Sequence, residues 1–113
     1  MSEEYIEILT ELEEENFTSP ERVLFLSVIF QALLDATKEK TIVESSRTSV
    51  EREHARAWFF CSVGVTCDNF EYVCESAGMD SDYTRSFALK VINSKEIKYV
   101  RQRIRRVLDK SWR

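Results

Sequence analysis

Residues 69–92 read "NFEYVCESAGMDSDYTRSFALKVI" and contain one interruption, Ala77-Gly78, between two stretches of helical spacing. The chain has only two glycines and one proline in 113 residues. A glycine set here marks a corner, because glycine takes positive φ without a steric penalty. Phe70 and Val73 form an apolar face before it. After it, Tyr83, Phe87 and Val91 recur every four residues, with Leu89 and Ile92 alongside. Cys74 is the small residue where a second helix would cross the first, and Asp80 or Ser81 is placed to cap that second helix. This pattern predicts a helix-turn-helix over 69–92. A helical corner that merely packs is the competing expectation.

The same signals extend in both directions. Thr18-Ser19-Pro20-Glu21 combines a cap, a first-turn proline and a glutamate. Thr48-Ser49-Val50-Glu51 repeats the capping-box spacing. Asp68 and Ser94 precede further periodic segments. Together these predict helices near 3–15, 19–38, 49–62, 69–77, 81–92 and 95–110. The expectation is an all-α single compact domain, 1–113, of five or six helices containing a helix-turn-helix. The helix at 19–38 is apolar nearly all round and should be central, and Trp58, Phe59 and Phe60 should lie in the core. Residues 39–48 form the longest polar connection, and residues 63–67 a short packed turn. Tyr5, Ile8, Leu9 and Leu12 make the acidic N-terminal segment, 1–15, amphipathic.

Charge is divided unevenly. Residues 1–84 carry 6 Lys/Arg against 18 Asp/Glu, whereas residues 85–113 carry 10 against 2. The basic C-terminal helix, 95–110, places Tyr99, Val100, Ile104, Val107 and Leu108 toward the core. Lys98, Arg101 and Arg105 fall on one outward stripe, and Arg103, Arg106 and Lys110 on another. Such stripes suit phosphates, with strong salt dependence. They suit equally a solvated face that pairs with the acidic body.

The segment "VCESAGMDSDYTRSF" (Val73 to Phe87) resembles the DNA-reading motif of lac-repressor-type regulators. The resemblance covers about twenty residues. It implies that Ser81, Asp82, Arg85 and Ser86 face base edges in double-stranded DNA. Phosphate contacts are expected from Lys90, Lys95, Lys98, Arg101, Arg105 and Arg106. Thr84 stands where that motif has an apolar β-branched residue, and Asp82 brings a negative charge toward phosphate. A wider pattern, "FQALLDATK", "ARAWFF" and "FEYVCESAGMDSDYTR", is similar to small uncharacterised proteins of tailed phages and prophages. It implies a phage-type origin more than any activity. The helix-turn-helix reading leads to the expectation of a phage or prophage transcription-type regulator, with a homodimer on two half-sites. A different class of function is a protein-binding adaptor gripping a host protein such as RNA polymerase.

Other chemistry is weakly supported. His54, Cys61, Cys67 and Cys74 are separated by six, five and six residues and lack the close pair usual at structural zinc. No cofactor motif, metal site or catalytic constellation is expected, so the chain is expected not to be an enzyme. The longest apolar run is shorter than the roughly 18 residues of a membrane span. An odd cysteine count behind an acidic N-terminus points to the cytoplasm, the host's if the chain is phage-encoded.

Overall fold

A computed structural model describes residues 20–109 apart from 42, 44 and 62, together with the backbone of 110 and 111. Five helices follow one another: α1 (Pro20–Ala36), α2 (Ser46–Phe60), α3 (Val65–Ala77), α4 (Ser81–Ile92) and α5 (Ile97–Ser111). There is no strand among the described residues. The expected helix at 3–15 and the Thr18-Ser19 cap lie outside them.

Helix α1 contacts all four other helices. Its buried residues Leu26, Ile29, Phe30, Leu33 and Leu34 recur at helical spacing, which aligns them on one face. Leu24 and Val28 lie on the other side and are exposed, so α1 is central without being enclosed. Helix α5 packs against it. Its Arg101 reaches Leu34 and Thr37 near the end of α1, and Leu108 borders a groove that runs along α1 from Leu24 to Asp35. Val100, Ile104, Val107 and Leu108 are buried as their spacing predicts, but Tyr99 is exposed.

Aromatic packing joins α1 to α4 and α2 to α3. The Phe30 and Phe87 rings meet edge to face, as do Trp58 and Phe70, and Phe59 and Phe70. Phe59 is fully buried, whereas Phe60 is exposed, contrary to the expectation of a three-residue core run. A run of three cannot all face inward on a helix that turns about 100° per residue. Trp58 is partly buried and donates its indole N–H to Asn69 Oδ1 at 2.8 Å.

Two helix starts differ from the capping patterns. Helix α2 begins at Ser46, capped by Ser45, whose hydroxyl accepts from the Thr48 amide at 3.2 Å. Glu51 of the Thr48 box is instead engaged by Lys38 and Arg47. Helix α3 begins at Val65, ahead of the anticipated Asp68 cap, and is preceded by Gly64 at φ 93°, ψ −171°, with no side-chain cap.

Candidate nucleic-acid interface

The corner between α3 and α4 is closed by backbone geometry. Gly78 adopts a left-handed conformation (φ 75°, ψ 27°). The Met79 amide donates back to the Cys74 carbonyl at 2.8 Å, and the Gly78 amide to Glu75 at 3.0 Å. These bonds satisfy carbonyls that the end of α3 would otherwise leave unpaired. Asp80 then caps α4, its carboxylate accepting from the Tyr83 amide at 2.9 Å. Arg22 of α1 braces the corner from outside by donating from Nε to the Ala77 carbonyl at 2.8 Å. A cation at a helix C-terminus is also favoured by the helix dipole.

The two helices cross at Cys74 and Thr84, both 0% exposed. The Thr84 hydroxyl donates to the Asp80 carbonyl at 2.8 Å and lies within hydrogen-bonding reach of the Cys74 thiol. The buried hydroxyl is therefore satisfied locally, which removes most of the penalty of placing threonine at an apolar position. Burial pushes the Cys74 thiol above its ordinary range. The inward stripe of α4 is Thr84, Phe87, Ala88 and Val91. Tyr83 and Leu89, expected to pin α4 inward, face out instead. Thr84 and Ala88 take the inner positions because their small side chains let the helices approach.

The structure treats the expected base-facing residues differently. Asp82 has a side chain 90% exposed; Ser86 is also exposed, and Ser81 is half-buried. Arg85 is held within the fold, which departs from its expected place on the open face. Its Nε donates to the Phe59 carbonyl at 3.1 Å, and its terminal nitrogens reach Asp82 Oδ1 at 3.2 Å and Cys67 Sγ at 3.5 Å. The guanidinium also lies 4.8 Å from the Phe70 ring centroid. It thus ties the end of α2 to α3 and α4. Asp68, Glu71, Glu75 and Asp80 are exposed near this end, so its surface is predominantly acidic.

The expected phosphate ligands divide as well. Lys95, Lys98, Arg105 and Arg106 are exposed, and Lys90 is half-buried. Arg101 is half-buried and caps α1: one terminal nitrogen donates to the Leu34 carbonyl and to Thr37 Oγ1. Twelve residues of α1 separate Arg22 from Leu34, about 18 Å at the usual helical rise. The Arg101 end of the basic helix is therefore remote from the corner. The roles of Arg22 and Arg56 were not apparent in the sequence, since each bonds a carbonyl of another helix. Arg56 Nε donates to the Ala36 carbonyl at 2.9 Å.

No known protein family, curated protein or solved structure matches this chain. No helix among the described residues is long and apolar enough to cross a membrane. Cys61, Cys67 and Cys74 are free thiols.

Proposed function

We propose that the chain is a DNA-binding, transcription-type regulator of phage or prophage origin that uses α3 and α4 as a helix-turn-helix. The observation that carries this reading is the braced, open front of α4. The Gly78 turn, the Asp80 cap and the Cys74–Thr84 crossing anchor the helix, while Asp82, Ser86 and Leu89 are exposed. A supported helix with polar side chains open to solvent, here Asp82 and Ser86 beside Leu89, is what major-groove reading requires. Ser81, Ser86 and Asp82 supply base-edge contacts in this reading, with Asp82 suited to accept from a cytosine amino group. Arg85 acts as a positioning residue for α4. Lys95, Lys98, Arg105 and Arg106 supply the phosphate contacts, with homodimerisation bringing two α4 helices to successive half-sites. A cytoplasmic setting fits the free thiols. Selection from a duplex library at low and moderate salt tests this: enrichment of a defined sequence is expected, and binding without sequence preference would end the reading.

A second reading, a non-enzymatic adaptor for a host protein such as RNA polymerase, is favoured by one specific feature. The exposed carboxylates Asp68, Glu71, Glu75, Asp80 and Asp82 occur together with exposed Phe60, Val63, Val65 and Tyr72. An acidic surface with apolar contacts complements a basic protein face. Stoichiometric capture of a host protein that survives nuclease treatment would distinguish it.

A further inference from the structure

The opposite end of α1 holds a separate cationic cavity of about 270 Å³, lined by Thr37, Lys38, Glu39, Arg56, Ile97, Lys98 and Arg101. Two arginines from different helices are fixed there by neutral acceptors. Arg56 of α2 donates to the Ala36 carbonyl, and Arg101 of α5 to the Leu34 carbonyl and the Thr37 hydroxyl. Carbonyls orient a guanidinium without neutralising it. Lys38 is paired with Glu51 and Asp35, but Arg56, Lys98 and Arg101 have no carboxylate within ion-pair range among the described residues. Glu39 is the single acid in the lining, and it is exposed. Burial and the adjacent Arg105 both push Arg101 below its ordinary value, with Asp35 opposing. A bound anion would add an attraction that opposes both effects.

We propose that this cavity is a phosphoryl-binding site in which Arg56, Lys98 and Arg101 are the ligand's donors. Two forked guanidiniums and an ammonium, contributed by two helices, offer several charge-assisted donors, an arrangement suited to a group with three oxygens and up to two negative charges. Both arginines are oriented before any ligand arrives, which lowers the ordering penalty on binding. The phosphoryl group belongs either to a free phosphorylated molecule or to a nucleic-acid backbone. The site shares Lys98 with the phosphate contacts above, but does not depend on α4 reading bases.

The test is a pyrophosphate titration of the full-length protein at fixed ionic strength, followed by amide chemical shifts. Saturable shifts are expected at Thr37, Lys38, Ile97, Lys98 and Arg101. Lys98→Glu changes an exposed side chain and should weaken binding about tenfold, whereas Lys40→Glu, an equal charge change at an exposed residue outside the lining, should weaken it less than about twofold. Both variants are checked for retained fold by their spectra. Non-saturating shifts, or equal losses in the two variants, would overturn the proposal. Adding a short random duplex to the complex separates the sources. Displacement of pyrophosphate assigns the site to backbone phosphate, and continued pyrophosphate binding assigns it to a free phosphorylated ligand.

Discussion

The Arg85 guanidinium donates to the Phe59 carbonyl 26 residues earlier, at 3.1 Å, and so joins the last turn of α2 to the first half of α4. It also crosses the Phe70 face and reaches Asp82. Arg85→Ala should lower stability by about 1–3 kcal/mol, from lost hydrogen bonds to a charged group and lost packing. Urea denaturation measures this. Any loss of DNA binding in this variant should fall on the preferred sequence and on all its base positions together, because Arg85 orients the whole helix rather than one base contact.

Gly78 and Arg22 set a second constraint. A Cβ at position 78 would stand 2.9 Å from Arg22 Nε, on a backbone with φ +75°. Gly78→Ala should therefore destabilise by about 1–3 kcal/mol, combining left-handed strain with displacement of the Arg22 brace. Gly64→Ala has open space around its Cβ but φ +93°, so its destabilisation would come from the backbone alone. Adding Arg22→Ala to each glycine variant should give coupling at position 78 and additivity at position 64.

These residues also show what could be read from the linear chain. Pro20 at a helix start, the Gly78 turn and the Asp80 cap are local chemistry and were legible, whereas the Ser45 cap and the Gly64 start were not. Also legible was the inward spacing of Val100, Ile104, Val107 and Leu108. The inward phase of α4 was not, because Thr84 lies at the crossing only by bonding its own cap carbonyl while meeting Cys74. The inward reach of Arg85 and Arg101 was not legible for a related reason. An outward basic stripe and a guanidinium reaching a distant helix end have the same sequence signature, and only the packing of α2 and α1 distinguishes them.

The Lys38–Glu51 pair links residue 38, just after α1, to α2 and should leave a pH signature. Hydrogen bonds from Lys38, then Arg47, hold the Glu51 carboxyl below its ordinary value of 4.5. The bond to Glu51 raises Lys38 above 10.5. A lowered carboxylate stabilises the fold fully above its unfolded value, and this contribution fades as pH falls from about 4.5 through the folded value. The raised lysine contributes below 10.5 and is lost as pH rises through its folded value. Thermal melts should thus show that Glu51→Gln destabilises near neutrality and flattens both the acid and alkaline limbs. Equal limbs in the two proteins would contradict the pairing.

The thiols should react in order of access. Cys61 is half-buried, while Cys67 and Cys74 are buried. Burial pushes both buried thiols upward; Glu71 adds to this at Cys67, where Arg85 opposes it. Iodoacetamide under native conditions should modify Cys61 first, with the other two at least about tenfold slower. Peptide mass analysis over time measures this.

The most direct measurement of the central claim is sequence selection by the Ser86→Glu variant beside the unaltered chain. Ser86 is exposed on α4, so the fold should persist and the helix front gains one negative charge. If α4 reads a groove, the unaltered chain enriches a defined duplex, and the variant loses that enrichment while keeping salt-dependent binding through α5. Identical selection by both proteins, or no enrichment by the unaltered chain, would contradict it.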